Sequence, residues 1–306
     1  MAALPFMKKR MIGWKCIVAG LLLFPQVTFA ASADACHEAL AAFNYSLAAD
    51  LARARLAAVP ADAWAGMCAA RAAYETGHFA AALDHLRAAE MQRPQGELRT
   101  YVSNWLTVTL HKLGRETEAM QYGQAALAWA RRETSQQNLA TALHNLAGLV
   151  WARGNAAGAI ALYRESILIN PDLSERSASL NNLGLIRQVH GQQTEAENWL
   201  EQAIALNREH DHFHHLGKHL MNLGNLYREQ KRYSEAASLL DEGAALIDRA
   251  GDIYWQAVAA RYRGWLARDQ GDGPSAAQWL ERAARSYDAA GAGQDAGAAR
   301  EELSRL

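Results

Sequence analysis

Asn182-Leu183-Gly184 and Asn222-Leu223-Gly224 are the same tripeptide set 40 residues apart. Carrying that offset along the chain keeps small and apolar residues in phase. Gly184 and Gly224 lead to Gly264, Ala196 and Ala236 to Ala276, and Leu200 and Leu240 to Leu280. Upstream, Thr107 pairs with Ala147, Gly114 with Gly154 and Ala119 with Ala159 at the same spacing, while Pro60 and Pro94 stand 34 apart. Several columns in register signal an array of similar units, each too small to bury its own apolar face and therefore stacked on its neighbours.

Each unit reads as two helices. Over 141–153, Leu143, Leu146, Val150 and Trp151 form one apolar stripe at helical spacing. Gly154-Asn155 supplies a turn, because glycine takes the left-handed conformation that closes a helix. The spacing predicts a second helix over 156–169, ended by Asn170-Pro171, since the residue before a proline avoids the α region. Where two helices cross closely a large side chain would hold the backbones apart, so Gly and Ala recur at the crossings. Leu200, Leu240 and Leu280 then fill the space between one pair and the next.

Composition narrows the class of function. The chain has 306 residues with 31 Lys+Arg against 32 Asp+Glu, so it offers neither a basic nucleic-acid surface nor an acidic solvating tail. Only 6 Pro argue against long disorder. Abundant Ala, Leu, Glu and Arg beside few Val, Ile and Thr favour helices over sheet.

The opening residues read as an address. Lys8, Lys9, Arg10 and Lys15 precede an apolar run at 16–24 (CIVAGLLLF), followed by a small-residue exit at Ala30 or Ala33. This layout predicts a signal peptide over 1–30, with cleavage possible to 33, and hence a periplasmic or secreted protein. The alternative is an uncleaved anchor, for which the run falls short of the roughly 20 apolar residues that span a bilayer. Beyond the signal only Cys36 and Cys68 remain. In an exported chain they are either a disulfide, worth about 3 to 4 kcal/mol in the chain-entropy model, or two buried thiols.

The column residues resemble a known family. Leu143, Leu146, Ala147, Val150, Gly154, Ala159, Tyr163, Ser166 and Pro171 in one unit are similar to the tetratricopeptide repeat, or TPR. So are Leu220, Leu223, Gly224, Tyr227, Ala236, Leu240 and Gly243 in another. Arg187, Arg263 and Lys231 depart from the family's pattern, Lys231 standing at the turn glycine. The 40-residue format exceeds the family's basic unit by about six residues, roughly 9 Å of helix. The resemblance implies an all-α, right-handed solenoid of about seven helix-turn-helix repeats. They would divide into N-terminal repeats over 34–139, C-terminal repeats over 140–290 and a capping helix over 291–306.

The resemblance also implies a non-catalytic adaptor without cofactor. Its first helices would line a concave groove that holds an extended segment of another envelope protein or peptide. No nucleic acid, and no membrane insertion after signal cleavage, is expected. Asn145, Asn182 and Asn222 share one register position in three successive first helices, and an Asn ladder can hold a peptide backbone through donor and acceptor alike. Lys218, Asn225, Arg228, Arg261 and Arg268 occupy neighbouring groove positions and suit a carboxylate. The bland alternative is that the Asn side chains bond between helices and the cations solvate the surface.

One other cluster carries chemistry. His210, His212, His214, His215 and His219 fall within ten residues, with His215 and His219 four apart on one helical face, a spacing that suits a divalent metal. A metal-binding or metal-delivery protein is the alternative function, although no Cys or paired carboxylate completes the set. The tryptophans Trp105, Trp151, Trp199 and Trp279 read as packing, whereas Trp265 is placed to face the groove. No phosphate loop, dinucleotide fingerprint, nucleophile elbow or HExxH appears in the sequence.

Overall fold

The computed structural model describes residues 31–306; the expected signal peptide lies outside the described residues. Among these residues the chain folds entirely into paired helices. Unit 1 is α1 (Ala31–Ala41) and α2 (Tyr45–Ala58), and unit 2 is α3 (Ala63–Glu75) and α4 (Phe79–Met91). Unit 3 is α5 (Gly96–Lys112) and α6 (Glu116–Ala130), and unit 4 is α7 (Gln136–Ala152) and α8 (Ala156–Ile169). Unit 5 is α9 (Leu173–Val189) and α10 (Gln193–Glu209), and unit 6 is α11 (Phe213–Glu229) and α12 (Tyr233–Ala250). Unit 7 is α13 (Ile253–Asp269) and α14 (Gly273–Ala289), and α15 (Gly293–Ser304) caps the array. Each odd-numbered helix packs on the even-numbered one after it, and odd helices also meet their odd neighbours, giving an α-solenoid with the odd helices inside.

The extra length of the later units has a definite place. Helices α5, α7, α9, α11 and α13 begin at 96, 136, 173, 213 and 253, so α7 starts four residues ahead of the predicted repeat boundary at 140. That first helix therefore gains about one turn before its family-like stretch begins. The second helix also lengthens, from 14 residues in α8 to 17 in α10. Asn170 caps α8 before Pro171, as the sequence predicts.

The glycine columns are equivalent in space. A Cβ on Gly184 would lie 2.8 Å from Leu200 Cγ, on Gly224 3.0 Å from Leu240 Cγ, and on Gly264 3.0 Å from Leu280 Cγ. In each case the next obstacle includes the carbonyl of Ala196, Ala236 or Ala276, so the predicted alanine and leucine columns complete one repeated helix crossing. At the turn, Gly154 has φ +84°, and Lys231 holds the corresponding left-handed conformation at φ +62°. The turn survives the substitution, at the cost that a Cβ brings to that region.

Units five apart also touch. Phe43, between α1 and α2, meets Phe213 at the start of α11 edge-on, with ring centroids 4.9 Å apart. The Ile253 N–H donates to the Thr76 carbonyl at 3.1 Å. A Cβ on Gly114 would lie 2.9 Å from Gln294 Nε2, and one on Gly291 would lie 3.7 Å from Leu113. Unit 1 thus meets unit 6, unit 2 meets unit 7, and unit 3 meets the cap. The solenoid turns once in about five pairs, and its second turn rests on its first. The concave groove is thereby walled into an axial passage.

Candidate functional site: the axial passage

The inner faces of the odd helices carry charged and aromatic side chains, and these are held partly open to water deep in the passage. From α3 come Arg71, Tyr74 and Glu75; from α5, Tyr101, Trp105 and Lys112. The Arg71 Nη1 donates to the Tyr101 hydroxyl at 3.0 Å, and its guanidinium lies 5.2 Å from the Trp105 ring centroid. Burial works against the Arg71 charge, but the Tyr101 hydroxyl and Glu75 outweigh it and raise its pKa; Glu175 of α9 adds to them across the passage. Glu175 itself accepts from the Thr141 hydroxyl at 2.7 Å and from Asn170 Nδ2 at 3.3 Å, while burial pushes its carboxyl above the usual range.

Elsewhere the lining is cationic and aromatic. Lys112 Nζ sits 4.1 Å from the Tyr254 ring centroid, and burial pushes the amine down to about 8. Lys218 Nζ lies 5.9 Å from the Trp255 ring centroid. Burial keeps His144 at about 4 and His215 well below the ordinary imidazole range, so both are neutral near pH 7. On α3, Trp64, 45 % exposed, stands 6.1 Å from Tyr101 and extends the aromatic face of α3 and α5 outward. Such a lining supplies apolar faces for side chains and paired charges for backbone or carboxylate groups.

The sequence-predicted ladder lies at the seams between neighbouring helices, where its side chains are engaged. Asn145 Nδ2 donates to the Asn104 carbonyl at 3.1 Å, and Asn182 Nδ2 donates to the Tyr163 hydroxyl at 3.0 Å. Asn222 Nδ2 donates to Asn181 Oδ1 at 2.9 Å, and Asn222 Oδ1 accepts from the Tyr262 hydroxyl at 3.3 Å. The three are not a continuous row of open amides, because each joins one helix to its neighbour.

The predicted cations are likewise paired. Lys218 lies 3.2 Å from Asp252, and Arg261 spans to Glu302 of α15 with Nε at 3.1 Å. Arg228 pairs with Asp269 and donates to Asn225 Oδ1 at 3.0 Å; Arg268 also reaches Asp269, at 3.0 Å. Trp265 lies between Arg228 and Arg261 and donates from Nε1 to Glu302 at 2.8 Å. This end of the array is a knit of inter-helix charge pairs.

The histidines are dispersed by the helix that carries them. His214 is wholly buried between Tyr45 and Asp252, and His219 Nδ1 meets Asn207 Nδ2 at 2.8 Å. His215 faces the passage, while His210 and His212 sit at the turn before α11. Among the described residues no three His, Cys, Asp or Glu side chains gather to hold a metal ion. Cys36 of α1 and Cys68 of α3 are joined as a disulfide, with Cα atoms 6.4 Å apart.

Sequence reasoning passed over Arg71, Tyr101, Lys112 and Glu175. The predicted groove positions lie on α7, α9, α11 and α13, whereas Arg71, Tyr101 and Lys112 stand on α3 and α5. The available signal was the alternation of Trp64, Arg71, Tyr101 and Trp105 in two successive first helices.

Comparison with known proteins agrees with the architecture. The tetratricopeptide-repeat family pattern matches residues 139–170, 176–210 and 217–249, so the chain carries TPR repeats. The photosystem I assembly protein Ycf3 of Prochlorococcus marinus (strain MIT 9303) is 29% identical over 133 residues, covering 44% of this chain and 69% of its own. Its counterpart from Acaryochloris marina (strain MBIC 11017) is 30% identical over 105 residues, covering 34% of this chain and 60% of its own.

Among solved structures, the Rap conjugation gene regulator of plasmid pLS20, in complex with the Phr* peptide, superposes with TM-score 0.68 at 19% identity. It covers 85% of this chain and 73% of its own. A Rap protein complexed with Competence and Sporulation Factor gives TM-score 0.59 at 14% identity, over 90% of this chain and 96% of its own. These structures share the fold.

Proposed function

We propose that this protein is an exported, non-catalytic adaptor that holds an extended segment of a cell-envelope protein in its axial passage. The observation that carries this reading is the passage wall itself. Arg71, Lys112, Glu175 and His215 remain partly open to water although enclosed, beside Tyr101, Trp105 and Tyr254. A chain laid there would find side-chain pockets and fixed charges already in place, which lowers the ordering cost of binding. The TPR repeats support a role in protein interaction, and a regulator of like fold was solved with a peptide. Export is supported by the leader-like residues before α1 and by the Cys36–Cys68 bridge, since disulfides persist in oxidising compartments.

Recovery of partners from envelope extract tests the adaptor reading. Wild-type bait is expected to retain a protein that a Trp64→Ala/Arg71→Ala bait loses, with both baits equally folded by circular dichroism. Identical recovery on both baits overturns the reading. N-terminal sequencing of the protein taken from periplasm tests export, with a start at Ala31 or Asp34 expected and an intact leader contradicting it.

A further inference from the structure

We propose that the seam between the two turns of the solenoid is a clasp, which opens to admit a partner sideways by flexing at units 4 and 5. The clasp stands independently of the adaptor reading; only its use in admitting a peptide rests on it.

The fastening is local and partly polar, set beside the Phe43–Phe213 and Phe79–Tyr254 ring contacts at 4.9 and 5.3 Å. His214 of α11 bonds through Nδ1 to the Tyr45 hydroxyl of α2 at 2.7 Å and through Nε2 to Asp252 Oδ2 at 2.9 Å. Lys218, one helical turn on, lies 3.2 Å from the same carboxylate and 3.6 Å from Glu75 at the end of α3. Burial works against the Asp252 carboxylate, yet Lys218 and His214 hold its pKa below the usual range. Of these, the Tyr45 and Glu75 contacts cross from units 1 and 2 to unit 6, while Asp252, on the far side of the seam with His214 and Lys218, holds both in place for them. Hydrogen bonds and ion pairs of this kind exchange for water when the surfaces part, so their net hold is modest compared with a buried apolar interface.

Beside the fastening the seam borders open space. A pocket of about 1080 Å³ lies between α2, α4 and the α12–α13 turn, walled by Ala49, Ala57 and Ala81. Two other spaces between neighbouring second helices are bridged by side chains. Arg87 reaches Glu118 at 3.1 Å and Tyr122 reaches Glu90 at 2.6 Å between α4 and α6, while Arg208 reaches Glu242 at 3.0 Å between α10 and α12. On one side of the seam the Cys36–Cys68 disulfide fixes α1 to α3, so units 1 and 2 move as one lever.

The hinge is where the apolar cluster is smallest among the described residues. Helix α9 buries Ser177 and Ser179 completely, and Asn181 nearly so. The cluster joining units 4 and 5 comprises Ala147, Ala159, Tyr163, Leu183 and Ile186, set between larger clusters on either side. Starts of first helices are 37 residues apart here (136 to 173) but 40 apart on either side, which marks a break in the regular stacking.

Hydrogen-exchange mass spectrometry on the full chain, with small-angle scattering, tests the clasp through Asp252→Asn. Asparagine still caps α13, as the Asp252 carboxylate does for the Trp255 N–H, but it removes the charge that Lys218 and His214 meet. The Ile253 amide, whose bond crosses the seam, is expected to exchange about tenfold faster, with a larger radius of gyration and α14 unchanged. A Thr76→Cys/Ile253→Cys cross-link is expected to reverse both changes, and Tyr45→Phe to reproduce part of them. Uniformly faster exchange throughout, or no change at the seam, overturns the clasp.

Sideways admission has its own readout. A maleimide carrying a bulky polyethylene glycol chain is expected to modify a His144→Cys thiol faster in the Asp252→Asn background and much more slowly when the seam is cross-linked. Equal rates with the seam locked and unlocked overturn lateral admission.

Discussion

At the scale of single residues, the fold depends on where a methyl group has no room. On Gly224 a Cβ would meet Leu240 at 3.0 Å and the Ala236 carbonyl at 3.3 Å, so Gly224→Ala forces Leu240 off its position. Overpacking of this kind costs about 1 to 3 kcal/mol, and urea denaturation is expected to show a loss of that order. Gly297 lies inside α15 with nothing within 4 Å of an added Cβ. Gly297→Ala is expected to gain about 0.5 to 1 kcal/mol in the same assay.

Protonation belongs to this scale too. Burial lowers His219 to about 3 and His144 to about 4, below the ordinary value of 6.5. Below pH 6.5 the unfolded chain therefore binds protons that the folded chain refuses. Stability is fully present above about pH 6.5 and declines toward pH 4, by up to about 1.4 kcal/mol per pH unit for each such histidine. Thermal melts between pH 7.5 and 4.5 are expected to show this decline, with a shallower slope in His144→Gln.

At the scale of helices, much was legible. The 40-residue columns fix which helices pair, because a close crossing leaves a visible residue requirement: glycine opposite leucine beside an alanine carbonyl. Pro171 and Gly154 marked helix ends for equally local reasons. The starts of the first helices were less visible, since one added turn of ordinary polar residues carries no signature. The inner asparagines show where a sequence reading divides. Register alone places Asn145, Asn182 and Asn222 on one inner edge, but whether an amide there faces a ligand or the adjoining helix depends on how far that helix leans.

Here the side chains reach the neighbour, so these residues hold helices together. Asn222→Ala removes bonds to Asn181 and Tyr262 and is expected to cost about 1 to 3 kcal/mol by urea denaturation. An unchanged midpoint would show that water replaces both bonds.

At the scale of the whole molecule, the passage and its seam were not legible. Contacts between units five apart arise from the accumulated rotation of several crossings, and no single position in the sequence encodes that sum. Arg71 and Glu175 are separated by more than one hundred residues and feel each other only because the array curls. The Cys36–Cys68 pair was legible as a possibility, and only the packing of α1 on α3 brings the two together. Reduction of this bridge, which encloses 32 residues of separation, is expected to cost about 3 to 4 kcal/mol. Thermal denaturation with and without reductant measures it, with the largest loss of amide protection in α1 to α4.

Ordinary solenoids tolerate the gain or loss of a module, because each module answers only to those beside it. This one does not have that freedom. Phe213 lies under Phe43 and Ile253 under Thr76, so every coil is indexed to the coil beneath it. Excising residues 213–252 would leave adjoining joints intact yet bring Ile253 to the place of Phe213, where Phe43 and Tyr45 would find neither their aromatic neighbour nor His214. Evolution can therefore decorate this array freely on its outer helices, but its tally of modules is a fixed dimension, like the thread count of a screw that must meet its own groove.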